Sequence, residues 1–97
     1  MKKTILLSIA IVLIGLSSFA QWEPLNSGTP NFITSVFFVN ADTGFVSADG
    51  GVILKTTDGG ISWDPKETPT NYLLYCITFS DANTGYAVGD GGTILKT

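Results

Sequence analysis

Eight carboxylates, one thiol and no imidazole are what this chain can bring to chemistry. Three of the carboxylates stand in glycine-rich triplets, Asp49-Gly50-Gly51, Asp58-Gly59-Gly60 and Asp90-Gly91-Gly92. Glycoside hydrolysis needs two carboxyl groups at a set separation, one as acid and one as base or nucleophile. The acids here are mostly turn residues, and the two glutamates, Glu23 and Glu67, lie at strand ends near prolines. Calcium is a second candidate, because Asn40-Ala-Asp-Thr-Gly44 and Asp81-Ala-Asn-Thr-Gly85 open like a calcium loop. Such a loop needs a bidentate Glu at its twelfth position, and those positions are Gly51 and Gly92. A phosphate loop requires glycines that open a helix and a following Gly-Lys-Ser/Thr; here Gly50-Gly51 and Gly91-Gly92 precede apolar runs instead. Cys76 has no histidine to activate it as a nucleophile. Within Tyr75-Cys-Ile-Thr-Phe79 it reads as a small buried hydrophobe. No cofactor and no metal ligand set is signalled. The acidic triplets are expected to turn the chain: Asp accepts bonds from its own turn, and Gly supplies positive φ.

The elements that carry these turns repeat. Shifted by 41, residues 22–56 fall on 63–97 with fourteen of 35 pairs identical, among them Trp22/Trp63, Pro24/Pro65, Phe38/Phe79, Gly44/Gly85, and Ile53-Leu54-Lys55-Thr56 on Ile94-Leu95-Lys96-Thr97. No helical period is present. Short β-rich runs alternate with turn signals. The first run is about 34–39, followed by a loop in which Gly44 is placed to take φ > 0. The second is 45–48, the third 52–57, and the fourth begins at Ile61 and carries Trp63. Pro65 and Pro69 confine that last strand to an edge or end it. Four short strands in about 41 residues make one antiparallel sheet, and that is the period of a propeller blade. The fold class is therefore all-β, a partial propeller of about one and a half blades.

The first twenty residues read as an export signal: Lys2 and Lys3, an apolar run from Ile5 to Leu16, and Ser18-Phe19-Ala20 before a cut at Gln21. The apolar run is shorter than the roughly 20 residues a spanning helix needs, so no stable membrane span is expected after cleavage. Without Lys2 and Lys3, three lysines face eight acids, a net charge of −5. An acidic chain without arginine lacks the basic footprint of a nucleic-acid binder. A single Cys forms no internal disulfide.

Thr56-Thr-Asp58-Gly-Gly60-Ile-Ser-Trp63 resembles the Asp-box, or BNR, motif, with Thr56, Asp58, Gly60 and Trp63 in place and Ser62 standing for the usual Thr. The wider pattern, SVFFVNADTGFVSADGGVILKTTDGGISW, is similar to repeats of the photosystem II stability/assembly factor family of β-propellers. The resemblance implies that the Asp-box is a structural hairpin, between third and fourth strands and remote from the ligand face. It implies no function for any single residue: that family's function is linked to an arginine-rich face, and no arginine is present. Some secreted proteins with such repeats carry a C-terminal sorting domain for type IX secretion. Sialidases and other glycosidases also carry Asp-boxes, but a sialidase needs an arginine cluster.

The resulting expectation is an N-terminal fragment of an exported β-propeller, periplasmic, cell-surface or secreted. It acts as a non-catalytic binding or scaffolding module for a protein or carbohydrate partner; the alternative is the N-terminal piece of a sialidase-like glycoside hydrolase. Residues 1–20 are the signal, 21–33 the fourth strand of an adjoining or closing blade plus linker, 34–74 a complete blade with its Asp-box at 56–63, and 75–97 a second blade that stops before its own. Gly44, Asp49, Gly50, Gly51, Gly85, Asp90, Gly91 and Gly92 are structural turn residues. Phe32, Tyr72 and Tyr75 lie in loops that lead into first strands, placed either for recognition or for packing between blades. Val36, Phe38, Val46, Ile53, Ile77 and Phe79 are expected to be poorly covered, so the chain self-associates or aggregates.

Overall fold

The computed structural model describes residues 21–97, so the expected signal segment lies outside the described residues. Two antiparallel sheets follow one another along the chain. The first has the order β1 (Ile33–Phe38), β2 (Gly44–Ala48), β3 (Ile53–Thr56), β4 (Asp64–Lys66). The second has β5 (Leu74–Asp81), β6 (Thr84–Gly89), β7 (Thr93–Lys96). The runs rich in Val, Ile, Phe and Thr become strands because such side chains pack well on a pleated surface.

The sequence repeat is reproduced rung by rung. Val36 faces Val46 and Val46 faces Leu54, as Ile77 faces Ala87 and Ala87 faces Leu95. Phe38 faces Gly44 as Phe79 faces Gly85. Each pair is its counterpart moved by 41, including the irregularities between Ile33 and Ser35 and between Leu74 and Cys76.

Residues paired directly across strands share a face. One face of the first sheet, here the leading face, carries Val36, Val46, Leu54, Phe38 and Gly44. The opposite, trailing face carries Ser35, Ser47, Ile53, Phe37, Phe45 and Lys55. The trailing face of the first sheet packs on the leading face of the second. Phe37, Phe45 and Ile53 lie against Leu74, Ile77 and Ala87, with Phe79 and Leu95 beside them. Phe45 stacks on Phe79 with ring centroids 4.2 Å apart, and Phe37 approaches the same ring at 6.0 Å. Polar groups in this interface are satisfied across it. Thr34 Oγ1 donates to Leu74 O at 2.6 Å, and the buried Ser47 Oγ lies 2.8 Å from the same hydroxyl.

Several expectations are corrected. The fourth strand starts at Asp64 and leaves Ile61–Trp63 in the turn, because Trp63 is held by the turn itself. Gly44 and Gly85 are not positive-φ residues. Each is a strand residue seated under an aromatic ring, and a Cβ on Gly44 would stand 2.6 Å from Phe38 and one on Gly85 2.5 Å from Phe79. Glycine is required there by the ring rather than by the backbone angle. Cys76 is exposed, since it falls on the trailing face of the second sheet. Val46 and Ile77 are buried, whereas Val36 and Phe38 are open. Residues 21–32 form no strand, and Trp22 is fully exposed.

Candidate functional site

The two ends of the sheets differ in chemistry. One end gathers the β1–β2 turn and the β3–β4 turn, joined by Gly59 N donating to Asp42 O at 2.9 Å. Here Thr56, Asp58, Gly60 and Trp63 come together. Thr56 Oγ1 donates to Asp58 Oδ1 at 2.8 Å and accepts from Gly60 N at 2.9 Å. Ser62 N donates to Asp58 Oδ1 at 2.9 Å, and Ser62 Oγ to Asp58 Oδ2 at 2.6 Å. Trp63 Nε1 closes the loop on Gly60 O at 3.0 Å. Bonds from the Ser62 hydroxyl, the Ser62 amide and Thr56 lower the Asp58 pKa to about 2, because they stabilise the ionised carboxylate. A carboxylate so held is a weak base, and both its oxygens are engaged within the hairpin.

At the same end, the loops with a calcium-like opening are self-contained turns. Asn40 Oδ1 accepts from Asp42 N and Thr43 N at 2.9 and 2.8 Å. Asp81 Oδ1 accepts from Asn83 N and Thr84 N, both at 2.8 Å. The Asn83 amide is the larger cause of the lowered pKa of Asp81. Among the described residues no three acidic or thiol side chains converge on a common point.

The other end is formed by the two Asp-Gly-Gly turns and the loops that lead into β1 and β5. Asp49 N donates to Phe32 O and Asp90 N to Leu73 O, both at 2.9 Å, so each turn is pinned to its loop in the same way. Asp49 Oδ1 accepts from Phe32 N at 3.1 Å. Asp90 Oδ1 accepts from Tyr75 Oη at 2.6 Å, and that bond raises the Tyr75 pKa above its ordinary value. Thr68 Oγ1 donates to Gly51 O at 2.7 Å. Gly51 has φ +74°, and a Cβ there would lie 2.0 Å from Thr70 O, so this turn accepts only glycine. Gly50, Gly91 and Gly92 also have positive φ. Phe32, Tyr72 and Tyr75 are all exposed at this end, and Tyr72 lies over Gly91. Sequence reasoning placed the three aromatic residues in loops, whereas Tyr75 lies in β5, and it gave no hint of the Tyr75–Asp90 bond, since Thr34 holds the equivalent place in the first repeat.

A cleft of about 350 Å³ opens between β4 and the outer strands of the second sheet, lined by Lys66, Glu67, Tyr86, Ile94 and Lys96 among others. It lies along the unpaired edge of β7.

Residues 15–97 match the family model described as photosynthesis system II assembly factor YCF48. No curated protein matches the chain. A solved structure described as YCF48 bound to D1 peptide superposes with TM-score 0.73 and 24% identity, covering 81% of this chain and 27% of that one. YCF48 from Cyanidioschyzon merolae superposes with TM-score 0.69 and 25% identity, covering 80% and 24% respectively. The chain thus spans about a quarter of the length of these structures. Together with the two sheets, the likeness shows the fold, a partial β-propeller in which each sheet is a blade.

Proposed function

Since the chain belongs to the family described as photosynthesis system II assembly factor YCF48, we propose that it is a non-catalytic, protein-binding module of β-propeller fold. The family match across residues 15–97 carries this reading. Its solved relative holds a peptide, and a peptide segment of a protein partner is the ligand proposed here. The surface assigned to it is the end bearing Phe32, Tyr72 and Tyr75, flanked by Asp49 and Asp90. Exposed aromatic rings give large contact area at low cost in side-chain entropy, and the neighbouring carboxylates favour a cationic peptide. The Asp-box at the opposite end is proposed as a structural clasp, because its polar groups are turned on one another.

Fluorescence anisotropy with labelled lysine-rich, neutral and acidic peptides tests the reading. The lysine-rich peptide binds best, and Tyr72→Ala weakens it about tenfold with no loss of thermal stability. Equal binding of all three peptides, or none, sinks the proposal.

The segment 1–20 is proposed as a cleaved export signal, with the chain acting outside the cytoplasm. No helix among the described residues is long and apolar enough to cross a membrane. Intact-mass spectrometry of the chain recovered from an expressing bacterium checks the cut: the reading requires a first residue of Gln21, and retention of Met1 overturns it.

A further inference from the structure

One turn holds loops of both blades. Asp49-Gly50-Gly51 belongs to the first sheet, and on one side it takes both backbone groups of Phe32. Asp49 N donates to Phe32 O at 2.9 Å, and Phe32 N donates to Asp49 Oδ1 at 3.1 Å. Asn31 Nδ2 adds a third bond, to Asp49 O at 3.0 Å. On its other side the turn meets residues 68–71, in the connection that carries the chain into the second sheet. Thr68 Oγ1 donates to Gly51 O at 2.7 Å. Gly51 is buried there, and a Cβ on it would fall on the Thr70 carbonyl. Thr70 Oγ1 in turn accepts from Tyr72 N at 3.0 Å. Phe32 of one blade and Tyr72 of the next thus hang from opposite sides of a single turn.

The repeat separates what shapes the connection from what places it. Ser27 Oγ donates to Thr29 O, and Asn31 N donates to Thr29 Oγ1, both at 3.2 Å. Moved by 41, the same bonds join Thr68 Oγ1 to Thr70 O and Tyr72 N to Thr70 Oγ1. They are internal to each loop and give it its shape. The bond from Thr68 to Gly51 is not internal, because it crosses from one blade to the other. A hydroxyl has one proton to give. Gly51 O, at 2.7 Å, is a closer acceptor than Thr70 O, at 3.1 Å.

We propose that the peptide lies across the boundary between the two blades, touching Phe32 and Tyr72 together, and that Thr68 is the positioning residue that sets one ring relative to the other. This rests on the reading of the aromatic end as the peptide surface. A ligand held by rings on separate blades gains most when their spacing is fixed before it arrives, since ordering a loop on binding subtracts from affinity. Asp49, in the shared turn itself, puts a carboxylate for a cationic side chain at that boundary. Thr68 acts on the turn and makes no contact with the ligand.

A double-mutant cycle in the full chain, read by fluorescence anisotropy with the labelled lysine-rich peptide, tests this. Thr68→Val keeps the branching of the side chain and removes the proton given to Gly51; it should weaken binding about fivefold. Thr68→Ser keeps the hydroxyl and should bind like the parent chain. In a Tyr72→Ala background Thr68→Val should change nothing further, because the ring it places is gone. A loss through general destabilisation would instead add to that of Tyr72→Ala. Phe32→Ala should weaken the same peptide about tenfold. The proposal is overturned if the peptide binds and Thr68→Val leaves its affinity unaltered, or if Thr68→Ser binds as poorly as Thr68→Val. Additive losses in the cycle, or a Phe32→Ala variant with full affinity, overturn it as well. A parent chain that binds none of the peptides removes the reading of the aromatic end, and the crossing peptide with it.

Discussion

Asp58 ties a single ionisation to the integrity of a turn. Its pKa is lowered from 3.8 to about 2 by Ser62 and Thr56, so the folded hairpin prefers the carboxylate and the unfolded chain holds the proton more tightly. The stability that Asp58 contributes is therefore complete above about pH 4 and is lost as pH falls toward about 2. Asp58→Asn should remove that part of the acid transition, read by Trp63 fluorescence, and make the hairpin easier to cleave by protease at neutral pH. An unchanged acid profile in Asp58→Asn contradicts a clasp held by the ionised form. Gly85 makes a different demand. A methyl group there meets three Phe79 ring atoms at 2.5–2.8 Å, so Gly85→Ala should cost about 1–3 kcal/mol, measured as a lower urea midpoint. The Phe79→Leu, Gly85→Ala double variant should recover part of that loss, because it removes the ring that collides.

Between the sheets, one side chain carries much of the contact. Phe79 is stacked by Phe45 and approached by Phe37, and it is only partly buried. Phe79→Ala should therefore cost about 2 kcal/mol, less than a fully buried Phe, and should loosen the second sheet before the first. Hydrogen exchange resolves the order: the amides of β5–β7 gain exchange more than those of β1–β3. The strands, their antiparallel order and the Asp-Gly-Gly turns were legible in sequence because period-two runs and glycine triplets are local signals. The start of β4 was not, since Ile61 and Trp63 look like strand residues yet Trp63 is drawn into the turn by its bond to Gly60 O. Gly44 misled for a similar reason. A glycine next to a turn suggests positive φ, and only the packing of Phe38 reveals a ring seat. The exposure of Cys76 depends on which face receives a neighbour, information that no stretch of five residues contains.

At the scale of the whole molecule, the repeat decides which surfaces are open. The grouping of Asp58 with Trp63 was visible as a motif; the end bearing Tyr75 and Asp90 was not, because residues 15 apart meet only once β5 and β6 have paired. The duplicated strand also has a kinetic consequence. Because Ile53–Thr56 and Ile94–Thr97 are the same four letters, β2 meets two chemically equal partners during folding, one across the four residues 49–52 and one across the 45 residues 49–93. Closing the longer loop costs about 2 kcal/mol more, which alone sets the odds of the correct choice near 30 to 1. Fidelity is thus written in the brevity of one bend and not in the letters it joins. Lengthening that bend with a flexible Gly-Ser insert should add a slow refolding phase in stopped-flow fluorescence, as chains that chose the distant twin back out and start again.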